Sequence, residues 1–293
     1  FNNPQPGESL TWTDTEPRQG KNEYLFIGIN EYGRGKYYQD SLYVGKDIPE
    51  DVKNFTIASN ETNKKATLAW EAPTVGKNGG LLNIESLKYH IVQYDVTTQI
   101  YTNIAQNVKE TSYTIDNSRM TTQELVYYGV IPVSDMGEGD VVLEYTLQGP
   151  LYNIPFEESF SNLAFSTGPW IVDSSLSVST WSVSNNASNV VLPQDNDEGF
   201  ALAHNPDYSG GGYWTTLASA RMSIKNKDPE LSFWVYQSAT TASKNSYLEA
   251  MISADEADFD VISSQINIGE GNGWNEYKIN LSKYNNSNFV QIK

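Results

Sequence analysis

Tyr24-Leu-Phe-Ile-Gly-Ile-Asn-Glu-Tyr-Gly33-Arg-Gly35 lies over Tyr128-Gly-Val-Ile-Pro-Val-Ser-Asp-Met-Gly137-Glu-Gly139 without a gap when the chain is slid against itself by 104 residues. In both copies an apolar-rich run enters a Gly-x-Gly turn and continues into a second strand, Tyr37 to Val44 and Val141 to Leu147. Each copy then reaches a proline-containing joint, Ile48-Pro49 and Ile154-Pro155. A fixed internal period marks a repeated folding unit, and an all-β period of roughly 100 residues is the size of one immunoglobulin-like sandwich.

Outward from this repeat, period two dominates. Ala66-Thr67-Leu68-Ala69-Trp70, Tyr89-His90-Ile91-Val92-Gln93-Tyr94 and Leu231-Ser232-Phe233-Trp234-Val235-Tyr236 are strand texts, rich in β-branched and aromatic residues and bounded by Gly, Asn, Asp and Pro. No window of a dozen residues holds an uninterrupted helical pattern, so only short helical turns are expected, for instance around Asp255 to Asp260. The fold class is therefore all-β.

Composition narrows function. The 36 acidic against 19 basic residues give a net charge of −17, a field that repels phosphate backbones and argues against nucleic acid as a partner. No apolar stretch of about 18 residues occurs, so no transmembrane helix is expected. The chain opens on Phe1 without an initiator Met or a signal-like leader, the start expected of a mature or excised fragment. With no cysteine and only His90 and His204, thiol catalysis, disulfides and Cys-ligated zinc are excluded, and neither histidine has a triad around it.

The tract from Ile48 to Gly149 resembles the fibronectin type III family. Pro49 and Val52 lead in, Leu68-x-Trp70 with Ala72-Pro73 stands on the second strand, Tyr89 and Tyr94 on the third, and Ser112-Tyr113-Thr114-Ile115 precedes Tyr128-x-Val130 and the Gly137-x-Gly139 turn. Trp70 is suited to fill the sandwich core, and Tyr128 to act as a tyrosine corner. On this resemblance residues 1–47 carry the C-terminal part of one type III module, its last three strands, and 48–151 a complete module.

From Tyr152 the repeat fails and the texture changes to Ser, Asn and Gly with clustered tryptophans. Pro155-Phe-Glu-Glu158-Ser-Phe160, Gly168-Pro-Trp170, Tyr213-Trp214-x-x-Leu217-Ala-Ser219, Pro229-x-Leu231-Ser-Phe233-Trp234 and Trp274-Asn-Glu-Tyr277-Lys-Ile-Asn-Leu281 resemble, in order, the MAM-like jelly rolls of bacterial adhesins, also called cleaved-adhesin or choice-of-anchor modules. The resemblance implies a concanavalin-like β jelly roll over 152–293, lacking its last strands after Lys293. It also departs from the pattern, since the Asp/Gly-rich stretch after the early Trp reads here as Asp173-Ser-Ser-Leu-Ser.

Carboxylates are the metal candidates. Glu158 matches the opening near which such jelly rolls hold a structural calcium ion, and strand alternation places it on the opposite face from Glu157. Asp195-Asn-Asp197-Glu198-Gly199 alternates oxygen side chains before a glycine, which reads either as a calcium loop or as a solvated turn. Asp255-Glu256-x-Asp258-x-Asp260 reads as an exposed loop. For ligand binding the aromatics are the stronger signal. Three glycines in Tyr208-Ser-Gly-Gly-Gly-Tyr213-Trp214 let backbone bend beside large rings, a rim for stacking a sugar or contacting a protein. Tyr208 and Tyr213 are expected to face solvent; Trp214 is a third candidate for ligand binding and is read either as part of this rim or, as the family resemblance implies, as packing inside, whereas Trp234, Phe233 and Trp70 are expected to be core.

Paired carboxylates also suit glycoside hydrolysis, but small sandwich modules offer no deep cleft, and no catalytic residue is assigned. The chain reads as a noncatalytic fragment of a secreted or surface-anchored bacterial adhesin. Its jelly roll would bind a host or environmental glycan or glycoprotein, with the type III modules as spacers. The alternatives are a noncatalytic accessory tail of a large secreted peptidase or glycoside hydrolase, and a spacer without a ligand.

Overall fold

The computed structural model of the chain describes residues 7–60, 64–160, 163–165, 167–176, 180–186, 199–204, 212–238, 246–254 and 258–293. Strands dominate, and the helical pieces described are short 3-10 turns, among them Ile84–Ser86 and Ser282–Tyr284. The short turn expected near Asp255 falls partly outside the described residues, and Asp260 stands in a strand.

The first repeat copy is a hairpin of β1 (Gly20–Asn30) and β2 (Gly33–Val44), so of the three strands expected in residues 1–47 the described residues form two. The next seven strands are β3 (Lys53–Asn60), β4 (Lys65–Glu71), β5 (Lys88–Asp95), β6 (Ile100–Val108), β7 (Ser112–Asp116), β8 (Glu124–Ser134) and, after the short β9 (Gly137–Glu138), β10 (Val142–Gln148). They form two sheets, β3-β4-β7 and β10-β8-β5-β6, with β9 paired to β8. This is the seven-strand arrangement of a type III sandwich, in which the first, second and fifth strands face the other four.

Alternation explains the core. On β4, Ala66, Leu68 and Trp70 point inward and are buried while Lys65, Thr67 and Glu71 face solvent. Trp70, 5% exposed, meets Phe55 edge-on at 6.5 Å and Tyr89 at 5.0 Å, aromatic geometry that adds to the burial of their area. Ile91 and Val130 pair across β5 and β8 and are fully buried. Tyr128, the expected corner tyrosine, is 2% exposed.

From residue 152 onward the structure is built of short pairs. Ile171–Ser174 pairs with Thr215–Ala218, Thr180–Ser184 with Phe200–His204, and Glu230–Ser238 with Asn272–Asn280, all antiparallel. Met222, Ile224, Ile252, Leu281 and Val290 form one buried cluster, and Tyr152 and Phe156 pack against it from the side. The chain divides into two compact units, 1–58 with 66–115 and 126–145, and 59–65 with 116–125 and 146–293.

Two joints are held by polar groups that burial makes obligatory. Asp47 is 1% exposed. Its carboxylate accepts from the Asn78 backbone N–H at 2.6 Å and side-chain amide at 3.0 Å, from Gly80 N–H at 3.2 Å and from Ile48 N–H at 2.8 Å. Backbone bonds join the same segments, Asp47 N–H to Leu81 O at 3.0 Å and Lys77 N–H to Ile48 O at 2.9 Å. A Cβ on Gly76 would lie 2.4 Å from the Asp47 Cβ, and one on Gly80 2.5 Å from the Tyr43 ring, so the loop must be glycine to close on the carboxylate. In the second unit Gln123, also buried, accepts from Arg221 N–H at 2.7 Å and donates to Pro150 O at 3.1 Å and Arg221 O at 3.3 Å. One amide thus satisfies the backbone where the chain leaves the sandwich.

Candidate functional site

Trp214 stands just before the strand Thr215–Ala218, whose partner Ile171–Ser174 continues into Ser175. Its backbone is fixed on both sides: Trp214 N–H donates to Ser175 Oγ at 2.9 Å, and Ser175 N–H donates to Trp214 O at 2.9 Å. The indole is 48% exposed. The reading of Trp214 as packed inside is therefore overturned: a position at the end of a strand escapes the in-and-out alternation that buries mid-strand rings. Tyr213, expected to be exposed, is half-buried. Tyr208, the third member of the expected rim, lies outside the described residues.

Trp234 is likewise corrected. Its strand pairs with Asn272–Asn280 so that Leu231, Phe233, Val235 and Gln237 share one face, and Trp234 stands on the other, opposite Glu276 and 42% exposed. Phe233 is half-buried and stacks on Tyr277 at 5.7 Å with the rings inclined by 20°.

Sequence reading missed a groove of about 640 Å³ on this same sheet pair, lined among others by Gln237, Gln265, Asn267, Glu270, Tyr277 and Asn280. Its polar groups are held in place. The Tyr277 hydroxyl donates to Gln237 Oε1 at 2.8 Å, and Gln237 Nε2 donates to the Asn267 carbonyl at 2.6 Å. Lys278 at its rim is pulled above the ordinary lysine range by its hydrogen bond to Glu276 at 3.1 Å, so its charge is already matched. Amides, hydroxyls and an aromatic ring line the groove beside one carboxylate, Glu270, and suit a polar ligand. The motif Trp274-Asn-Glu-Tyr277-Lys-Ile-Asn and the strand text Leu231 to Tyr236 were visible, but the segment 262–267 that lines the groove beside them was not.

Glu158, the expected calcium ligand, is half-buried and already employed. One oxygen accepts from Phe160 N–H at 2.7 Å, the other from Thr167 N–H at 2.8 Å and from the Trp170 indole N–H at 3.1 Å. Three N–H donors make it a clamp that ties Phe160, Thr167 and Trp170 together. Calcium takes six to eight oxygens, and among the described residues no three His, Cys, Asp or Glu side chains gather. Asp195 and Asp197 lie outside the described residues.

His90 accepts from Asn107 N–H through Nδ1 at 3.2 Å, which puts its proton on Nε2, 3.6 Å from a Glu138 oxygen. It is a strand-packed imidazole, as its place on the third strand of the sandwich implied. Asp47, which sequence reading passed over, is the most enclosed carboxylate described. Burial alone would raise its pKa, but the donors from Asn78, Gly80 and Ile48 outweigh this and hold it below the ordinary carboxylate value.

The strand order of 48–151 is that of a fibronectin type III-like sandwich. The chain is similar to the crystal structure of FN3tt, with 17% identity, TM-score 0.27 and coverage of 34% of this chain and 94% of the other. It is similar to a Fn3-like protein from Clostridium thermocellum, with 22% identity, TM-score 0.26 and coverage of 33% and 92%. It is also similar to the FN1-FN3 domains of chicken CNTN1, with 10% identity, TM-score 0.27 and coverage of 92% and 70%. No protein-family model matches the chain, and no curated protein does.

Proposed function

We propose that this chain is a noncatalytic adhesion segment of a secreted or surface-displayed protein. In it the type III-like sandwich acts as a spacer, and residues 152–293, as a MAM-like jelly roll, bind a neutral glycan or the glycan of a glycoprotein. The observation that carries this reading is Trp214: a large ring 48% exposed on a backbone held by two hydrogen bonds to Ser175. A fixed, solvent-facing indole presents a flat apolar surface to the C–H face of a sugar at little entropic cost. The amide-lined groove around Tyr277 supports the same reading, and the net charge of −17 favours neutral over acidic glycans. Among the described residues no helix is long and apolar enough to cross a membrane.

The test is titration of the whole chain against a panel of immobilised neutral and acidic glycans and matrix glycoproteins, in calcium and again in EDTA. Trp214→Ala and Tyr277→Phe run alongside. Binding to a neutral glycan that falls at least tenfold in either variant, with the melting temperature unchanged, is the expected result. EDTA sensitivity would place calcium in the binding unit. A blank across the panel, or binding indifferent to both variants, overturns the reading.

A further inference from the structure

An antiparallel strand bonds its neighbour through every second residue, so the last strand of a sheet turns its remaining N–H and C=O groups outward. The two sheets of the sandwich end on β3 and β7, and on β10 and β6. Natural edges are guarded by charge, and three of these are: Lys53 stands in β3, Asp116 in β7 and Glu144 in β10. The fourth is not. The nine residues of β6, Ile100-Tyr-Thr-Asn-Ile-Ala-Gln-Asn-Val108, hold no charge and no proline, and among the described residues this strand pairs only with β5.

The pairing of β6 with β5 runs without a shift from Ile100, opposite Asp95, to Asn103, opposite Val92, and bulges follow before Val108. The regular part of the open edge is therefore Ile100 to Asn103. All four residues are exposed, Ile100 at 60% and Tyr101 at 44%. Behind Tyr101 the outer face of the sheet carries a row of rings, one from each strand. Tyr101 meets Tyr94 at 4.8 Å, Tyr94 stands opposite Tyr127, and Tyr127 meets Tyr145 at 5.4 Å. The next row is Asn103, Val92 and Gly129, where a Cβ on the glycine would lie 2.9 Å from the side chains of Val92 and Leu143. Neither row holds a charge. Tyrosine in place of charge is the composition of the centre of a protein–protein interface, whereas the solvent face of an antiparallel sheet is ordinarily polar.

We propose that the open edge of β6 binds an extended peptide segment of another protein, with an uncharged centre and basic ends, which adds to the sheet as a further strand and lays alternate side chains beside Tyr101. The edge chemistry selects the kind of occupant: outward N–H and C=O groups at the strand repeat are matched by the same groups of an extended main chain, and neither a sugar nor a helix presents them. Charge selects its composition. The edge itself is neutral, Asp95 opposite Ile100 is exposed and the chain carries −17, so basic ends are drawn in and a second copy of this acidic chain is repelled. The sandwich is then more than a spacer, and this holds or fails independently of glycan binding by residues 152–293.

The test presents the 293-residue chain to an array of synthetic peptides about ten residues long that alternate Thr with Val or Tyr, ended by Lys in one set and by Glu in the other. The Lys-ended set should bind at least about tenfold more tightly, with the gap closing at high salt. Hydrogen exchange with the best binder should show new protection at residues 100–103 and none in β10. Methylating every second backbone nitrogen of that peptide should abolish binding in one alternation and spare it in the other, because only one set of amides faces β6. Tyr101→Lys, which charges the edge, should weaken binding at least about tenfold at an unchanged melting temperature, and Tyr145→Lys, on the opposite edge, should leave it as it is. A blank across the array, equal effects of the two methylation patterns, or protection elsewhere than 100–103 would each overturn the proposal. So would sedimentation of the chain by itself as a dimer that protects 100–103, which would make a second copy the occupant.

Discussion

Replacing Asp47 with Ala should unlatch the joint between the first hairpin and the sandwich loop at 76–81. The carboxylate takes two N–H donors from Asn78, one from Gly80 and one from Ile48 in a setting that is 1% exposed. Removing the acceptor strands the loop donors, and a buried unsatisfied donor costs about 1–3 kcal/mol. Water entering the vacated space recovers part of this, so the expected loss is about 3 kcal/mol, or roughly 12 °C of melting temperature for a unit of this size. Because the donors depress the pKa of Asp47, its contribution is fully present above the ordinary carboxylate pKa and fades as pH falls through the lower folded value. The gap between parent and variant should therefore be full at pH 7 and should narrow below about pH 4. Thermal and urea unfolding followed by tryptophan fluorescence at pH 7 and pH 3 measures both. Asp47→Asn, which keeps one carbonyl oxygen but aims an amide at the loop donors, should lose about half as much. A variant that melts within 2 °C of the parent at pH 7, or a gap that widens on acidification, would refute the reasoning.

Three further outcomes can be checked. Trp70→Ala should cost about 3–5 kcal/mol in urea unfolding, because it empties the centre of the Phe55–Tyr89 aromatic cluster, whereas Trp214→Ala should change stability by less than about 0.5 kcal/mol. Gly80→Ala should destabilise by about 2 kcal/mol or more, since its Cβ would press on Tyr43 and Asp47; circular dichroism melts would show it. Glu158→Gln should lower stability by about 1–2 kcal/mol through its three N–H donors, and differential scanning calorimetry should give that loss equally with calcium and with EDTA.

Much of the architecture was legible because strand alternation is local. Ala66, Leu68 and Trp70 announce one face of β4, and the repeat from Tyr24 to Gly35 announces a hairpin, without knowledge of any neighbour. The site was less legible. Trp214 and Trp234 look in sequence like the buried Trp70, yet they end half-exposed, because exposure is decided by whichever element covers that face, and the covering elements lie far away in the chain. The groove at Tyr277 joins residues from 237 to 280 that have no shared motif, and the pairing of Glu230–Ser238 with Asn272–Asn280 and the Gln237–Asn267 hydrogen bond bring them together.

By itself the sequence determined an all-β chain, its 104-residue period and the inward face of runs such as Ala66 to Trp70, since period two and turn residues act over a few positions. Only the tertiary structure decided that Asp47 is enclosed by loop amides, that Glu158 clamps a turn and that Trp214 meets solvent. Those outcomes depend on which distant backbone arrives to donate a hydrogen bond or to cover a ring, and long-range packing, unlike alternation, leaves no local trace in the order of the residues.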